Sequence, residues 1–469
     1  MDALAHLLHD RVYQVYPRSF QDADGDGVGD LAGIEARLDH VSGLGASAIW
    51  LSPVYPSPLA DFGYDVTDHE AVDPVYGTLE DFDRLVAAAH ARGLRVLMDL
   101  VPSHTSIEHP WFREHPDRYV WADGRGGDPP NNWLATFGGP AWSRDPRGSK
   151  RWYLHSFYPE QPDLDWRNPE VVRAMQEVVR FWLGRGVDGF RIDAIDRLVK
   201  DADLRDDPPA SAPFGLPLPE EYAQLEHLYS TNSPDIRHAL AALREAAGDA
   251  LLVGEVYLPS ADVTPYLEHL DAAFAFELFH APWEAEALHA AISAAGDGAA
   301  WVLSNHDFPR LPDRFGPENA SAAATLLLTL PGLVFVYQGE EIGQRDGPRD
   351  ERSWDRAGRD PHRHPMQWEP NPETAGFTTG VPWLPPVDPG ERSVSAQLAE
   401  PGSLLHLYRE MIALRPSLGP GLEMLDAADG VVAYRRGDHV VAVNTTRWER
   451  PAPGGGRIAP HEARVRLLD

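Results

Sequence analysis

The chain has 469 residues, 43% of them apolar, and a formal net charge of -31 at neutral pH. A surface that negative repels phosphate backbones and anionic headgroups, so nucleic acid and membrane partners are not expected, whereas a small neutral substrate is compatible with it. Cysteine is absent, which excludes disulfides and thiolate metal sites, and no run reaches the about 18 to 20 apolar residues that a membrane helix needs.

Residues 1–10 lack a basic start followed by a long apolar stretch, so a cytoplasmic location is the expectation. Val12-Tyr13-Gln14-Val15-Tyr16 reads as the first strand. The acidic run Asp22-Ala23-Asp24-Gly25-Asp26-Gly27-Val28-Gly29-Asp30 follows it. Oxygen ligands at alternate positions with a glycine at the sixth match the first part of a calcium loop. The expected ligands of a structural Ca²⁺ or Mg²⁺ are Asp22, Asp24, Asp26, the carbonyl of Val28 and Asp30, and no organic cofactor is expected. Gly33 stands at the twelfth position, so the bidentate glutamate of an EF-hand is missing.

Further strands are predicted at 46–51, 94–100, 187–192, 251–254, 272–276, 300–303 and 333–337, which makes eight. Stretches with apolar residues at three- and four-residue spacing lie between most of them, for example 79–92 and 171–183. The segment from Ser103 to Arg167 is rich in Trp, Pro, Gly and Asp and shows little helical periodicity, as a small inserted domain would. After Pro420 the chain turns to short β-like pieces such as Gly430-Val431-Val432-Ala433-Tyr434. The expected fold is therefore α/β, a (β/α)8 TIM barrel with an inserted subdomain after strand 3 and a C-terminal all-β domain. Its parts are 1–102 and 168–419 for the barrel, 103–167 for the insert and 420–469 for the β domain.

Three carboxylates close short apolar runs: Asp193 in Gly189-Phe190-Arg191-Ile192-Asp193, Glu255 in Val253-Gly254-Glu255, and Asp307 in Ser304-Asn305-His306-Asp307. All three fall at the exit of a predicted strand, where parallel α/β proteins place their ligands. Breaking an acetal needs a proton for the leaving oxygen and a negative group facing the anomeric carbon, and two carboxyls in unlike environments supply both. Arg191 alternates to the same strand face as Asp193, so its guanidinium can keep that carboxyl ionised.

The segments Gln14-Val15-Tyr16-Pro17-Arg18-Ser19-Phe20, Asp99-Leu100-Val101 with His104-Thr105-Ser106, Gln161-Pro162-Asp163-Leu164-Asp165-Trp166, the three carboxylate motifs and Pro365-Met366-Gln367-Trp368 occur in this order. Together they resemble the α-amylase superfamily (glycoside hydrolase family 13), and within it the α-glucosidase and oligo-1,6-glucosidase branch, over nearly the whole chain. The resemblance implies that Asp193 is the nucleophile, Glu255 the general acid and then base, and Asp307 the carboxylate that grips ring hydroxyls in the transition state. It further implies that His104 and His306 donate to the first sugar, that Tyr64 stacks on it, and that Asp65 accepts from its terminal hydroxyls. Arg359, in Gly358-Arg359-Asp360, is expected to pair with Asp65 and wall off the pocket, which means exo action on non-reducing ends. The branch also carries a metal loop after its first strand, which supports the Asp22–Asp30 site. Ser103 replaces a frequent Asn, which argues against a calcium site between barrel and insert, and Asp165 replaces another.

Ala194 follows the nucleophile, where this branch tends to have Val in enzymes preferring α-1,6 bonds. The expected substrates are short α-1,4-linked glucosides such as maltose, with oligo-1,6-glucosidase, sucrose hydrolase, and transglucosidase or trehalose synthase-type isomerase as alternatives. Oligomeric state is left open by the sequence.

Overall fold

Strands β1 (Arg11–Val15), β2 (Ala48–Leu51), β3 (Arg95–Leu100), β4 (Gly189–Ile192), β5 (Leu251–Gly254), β6 (Ala272–Phe274), β7 (Ala299–Trp301) and β8 (Leu333–Tyr337) pair in parallel with their neighbours, and β8 closes on β1. The fold is a (β/α)8 barrel, seen in a computed structural model that describes residues 10–349 and 353–467. Residues 1–9 of the first barrel part and 468–469 of the tail lie outside the described residues. All eight predicted strands are present, most of them a residue or two shorter than the apolar runs that announce them. The sixth is cut short because Phe276 already starts a helix, Phe276–His280.

Strand parity divides the core in two. Val12, Ala48, Trp50, Leu97, Val253, Ala272, Phe274, Ala300 and Phe335 fill the barrel interior. Their alternate neighbours Tyr13, Val15, Ile49, Leu51, Val96, Met98, Phe190 and Ile192 pack outward against the helices. Continuing the inward parity one step toward the carboxyl ends of the strands brings Gln14, Asp99, Arg191 and Asp193 to the mouth. Gly189 lies at the narrow end of β4, where an added Cβ would meet the Leu251 carbonyl at 2.3 Å and Leu97 at 2.8 Å. No larger residue fits there without moving a strand.

The outer helices form for local reasons as well. Leu79–His90 starts on a capping box between Thr78 and Asp81 and buries Phe82, Leu85, Val86 and Ala89. Pro169–Gly184 has Asn168 as N-cap and a proline in its first turn, and its stripe Val171, Met175, Val178, Val179 and Trp182 faces the barrel.

Within 103–167, strands Trp121–Asp123, Arg151–Leu154 and Trp142–Arg144 form a three-stranded antiparallel sheet. Its contact with the barrel is locked by a buried ion pair, Lys200 Nζ 2.5 Å from Asp163, whose carboxylate also accepts from the Ser156 amide at 2.9 Å and hydroxyl at 2.6 Å. The connection between β4 and β5 is also long but mostly irregular before the helix Ile236–Ala247, and its composition did not single it out. At the C-terminus, Glu423–Met424, Val431–Arg436, His439–Asn444 and Ala463–Leu467 make a four-stranded antiparallel sheet. Buried Arg415 and Arg436 donate to the last carbonyls of helix Ala320–Thr329 and the turn after it, at Leu328, Thr329, Leu330 and Gly332. Cations at a helix C-terminus oppose its dipole, and Arg436, on the strand Val431–Arg436, joins that sheet to the barrel. Among the described residues no helix is long and apolar enough to cross a membrane.

Candidate active site

Arg191 is the hub of the barrel mouth. Its Nη1 lies 2.7 Å from both Asp99 and Asp193, and its Nη2 lies 2.6 Å from Glu255. The barrel register explains the meeting, since Asp99 and Arg191 are direct partners across β3 and β4 and Asp193 and Glu255 leave adjacent strands. The residue after Asp193, Ala194, takes the left-handed conformation (φ 43°), which turns its amide to donate to Glu255 at 3.2 Å. A non-glycine residue there stores backbone strain at the mouth.

Three acids around one guanidinium leave an excess of negative charge in a buried place. Burial pushes the Asp193 carboxyl well up, Arg191 counters it, and Glu255 and Asp99 push it up again. Asp99 is raised to about 7, by burial against the same Arg191. The expected contact between Arg191 and Asp193 is present, and the one positive charge is shared among three carboxyls.

Asp307 is in the opposite condition. Burial works against its charge, but Arg359 and Arg363 each reach Oδ1 at 3.1 Å and hold the carboxyl far below its ordinary range. His306 beside it is lowered to about 3 by burial, so its ring is uncharged near neutrality. That ring is stacked between Tyr16 and Tyr64, each 5.6 Å away, with Gln14 on Nδ1 at 2.9 Å and the Tyr64 hydroxyl on Nε2 at 2.8 Å. Tyr64 in turn lies 3.0 Å from Asp99. His104 is fixed by Ser103 on Nδ1 at 2.8 Å and the Tyr64 carbonyl near Nε2 at 3.1 Å.

These groups surround a cavity of about 460 Å³. Asp193, Glu255, Asp307, Tyr64, His104 and Arg359 line it, and His306 stands behind Tyr64, fully buried. Asp65 is not part of the lining. It is buried under the loop, accepting from Ser57 Oγ at 2.6 Å and from the amides of Ala60 at 2.9 Å and Asp61 at 3.0 Å. The expected pairing of Arg359 with Asp65 is therefore corrected: Arg359 pairs with Asp61, which faces the cavity and also accepts from Gln161 at 2.9 Å. Asp65 folds the loop and Asp61 uses it. The sequence offered both acids in Asp61-Phe62-Gly63-Tyr64-Asp65, with no periodicity to say which would turn inward.

Sequence reasoning also missed Asp99 and Arg363 as site groups, and the outer wall of the cavity. That wall comprises Phe137 and Phe157 from the insert, Pro217, Leu218 and Pro219 from the β4–β5 connection, and Tyr257 and Phe308. Only Asp99 carried a usable signal, an acid on the inward parity of a buried strand.

The predicted metal residues come together in part. Carboxylate oxygens of Asp22, Asp24 and Asp30 lie within 4.8 Å of one another, close enough for one hard cation. The Asp26 carboxylate is outside that group and accepts from the Val28 amide at 2.7 Å. Asp22 accepts from the amides of Gly25 and Gly27 at 2.7 Å, and Asp30 from those of Ala23 at 2.8 Å and Gly33 at 2.6 Å. The donor set is all oxygen, which fits Ca²⁺ or Mg²⁺.

Residues 14–419 match the family model of the alpha amylase catalytic domain. A protein described as "Probable alpha-glucosidase" from Rhizobium meliloti (strain 1021) is 42% identical over 476 residues, covering 91% of this chain and 86% of that one. An oligo-1,6-glucosidase from Parageobacillus thermoglucosidasius is 37% identical, covering 86% of this chain and 82% of its own. Among solved structures, the alpha-glucosyl transfer enzyme XgtA superposes with a TM-score of 0.92 at 37% identity, covering 99% of each chain.

Proposed function

Because the chain belongs to the α-amylase family and is a glycoside hydrolase of its α-glucosidase branch, we propose that it is a retaining, exo-acting α-glucosidase of short α-1,4-linked glucosides. The observation that carries this reading is the arrangement at the blind end of the cavity. Asp193 and Glu255 share one guanidinium, while Arg359 bridges Asp61 and Asp307 beside them. Two carboxyls that close suit retention, which needs about 5 to 5.5 Å, better than the about 6.5 to 9.5 Å of inversion. In this reading the Arg359 bridge closes the pocket behind one terminal sugar.

In this mechanism Asp193 is the nucleophile and Glu255 the acid that serves the leaving group. Asp193 attacks the anomeric carbon as Glu255 protonates the departing oxygen, giving a β-glucosyl ester and the free leaving group. Glu255, now ionised, takes a proton from water, whose oxygen displaces Asp193 and yields α-glucose. Asp307, kept ionised by Arg359 and Arg363, accepts hydrogen bonds from ring hydroxyls as the sugar flattens. Tyr64 provides a stacking face, and His104 lines the cavity beside the first sugar. Water and a second sugar compete for the same ester, so transfer is the alternative outcome, and the apolar outer wall favours it by keeping water few.

The small Ala194 leaves space beside the leaving group, which supports the α-1,4 preference. We further propose a structural Ca²⁺ or Mg²⁺ on Asp22, Asp24 and Asp30, remote from the chemistry. Removing it with a chelator is expected to lower Tm, with recovery on adding back the ion. Unchanged melting and no ion by elemental analysis would defeat the metal.

The activity is tested by an NMR time course on maltose, isomaltose, sucrose and trehalose, reading anomers before mutarotation. The expected first product is α-glucose, formed faster from maltose than from isomaltose. Early β-glucose would overturn retention. Faster isomaltose cleavage would make the protein an oligo-1,6-glucosidase, early sucrose cleavage a sucrose hydrolase, and trehalose arising from maltose an isomerase.

A further inference from the structure

We propose that Asp355 is the positioning residue that aims Arg359, and so shapes the closed end of the pocket. The inference rests on the exo-glucosidase reading of that pocket. Asp355 is fully buried and does not line the cavity, so it can act on a sugar only through its neighbours. Its Oδ2 accepts from Arg359 Nε at 2.9 Å and from the Arg359 amide at 2.7 Å, and its Oδ1 from Nη2 at 2.6 Å. Two parallel bonds along one edge fix the plane of a guanidinium as well as its place. What remains of Arg359 then points at the site, with Nη1 3.1 Å from Asp307 and Nη2 also on Asp61.

The same carboxylate lies 3.7 Å from Nη1 of Arg363, the second cation on Asp307. Both arginines that keep Asp307 ionised are therefore flanked by Asp355. Its own placement comes from Asp360, which accepts from the amides of Trp354 at 2.6 Å and Asp355 at 3.2 Å and from Ser353 Oγ at 3.2 Å. Among the described residues the regular structure beside it is one short 3-10 turn, Asp360–Arg363, which starts just after Arg359, so these bonds do most to hold the arginine. Without Asp355, Arg359 would still meet Asp307 and Asp61, but its plane would be free to tilt.

The test is a double-mutant cycle on maltose hydrolysis with Asp355→Asn and Arg359→Ala. Asp355→Asn alone is expected to lower kcat/KM by roughly 10- to 100-fold, mostly through KM, while in the Arg359→Ala background it should add less than about twofold. A merely structural role would cost the same in both backgrounds, and that result, or full activity in a folded Asp355→Asn protein, would overturn the proposal. If Asp355→Asn does not fold, Asp355→Glu takes its place in the cycle, with the same two outcomes decisive. A second readout needs no turnover: the ¹⁵N–¹H signal of Arg359 Nε, identified by its loss in Arg359→Lys, should broaden or vanish in the Asp355 variant. Its persistence unchanged would also overturn the proposal. A wild-type protein that cleaves no α-glucoside would defeat the functional reading and leave this NMR result standing on its own.

Discussion

Arg191 meets three carboxylates with one charge, so a substitution among them changes the chemistry before it changes the fold. Asp193→Asn keeps the shape and one acceptor for Arg191 while removing the proposed nucleophile. It is expected to cost about 10⁴-fold or more in kcat with little change in Tm, since residues acting as a unit fail together; substantial residual turnover would refute the assignment. Glu340 shows a second way in which a buried acid speaks. It sits behind β8, accepting from Ser304 Oγ and from the Tyr408 hydroxyl at 2.8 Å, and burial raises it to about 7. An acid whose folded pKa lies above its unfolded one binds its proton more tightly in the folded state. Stability is therefore greatest below the unfolded pKa of about 4.3 and falls as pH rises toward 7. Glu340→Gln is expected to flatten that slope and to gain up to about 3 kcal/mol at pH 8, measured by urea unfolding at pH 5 and pH 8. Equal slopes in both proteins would show that Glu340 is not the group responsible.

The elements that position the site were legible to the degree that they repeat. Short apolar runs predicted the eight strands, and period-two parity put Arg191 and Asp193 on one face, because a barrel strand must send alternate residues to different cores. The loops gave no such periodicity. Whether Asp61 or Asp65 would face the sugar depends on three bonds that fold residues 57–65, and on left-handed backbone at Leu59 and Phe62. Nothing in residue type announces that. The same holds for the β4–β5 connection, whose Pro217, Leu218 and Pro219 reach the cavity from an irregular stretch. The join of insert to barrel can be tested as an element. Burial opposes the charge of Asp163 and Lys200 holds it below the ordinary carboxylate range, so Lys200→Met leaves an unpaired buried acid. The loss expected is about 3 to 5 kcal/mol, seen as faster hydrogen exchange across 121–154, and partly restored by adding Asp163→Asn. A neutral effect would mean that apolar contacts alone hold the insert.

At the scale of the molecule the charge of -31 is the largest electrostatic fact. Like charges distributed over one folded body repel, and salt screens them over about 10 Å at 0.1 M. Raising sodium chloride from about 10 mM to 0.5 M is therefore expected to raise Tm, whereas specific ion pairs alone would make it fall. The barrel, the insert and the C-terminal sheet also differ in what joins them. Arg436 ties the C-terminal sheet to a backbone carbonyl of the barrel's outer helix, and Lys200 of the barrel part is tied to Asp163 of the insert. The Lys200 ammonium is delivered with the polypeptide itself. It cannot be diluted away, sequestered by a competing ligand, or exchanged for a wrong ion from the medium. This ion pair forms whatever the mineral content of the surroundings, and among the described residues the acids grouped closely enough to hold an ion are Asp22, Asp24 and Asp30.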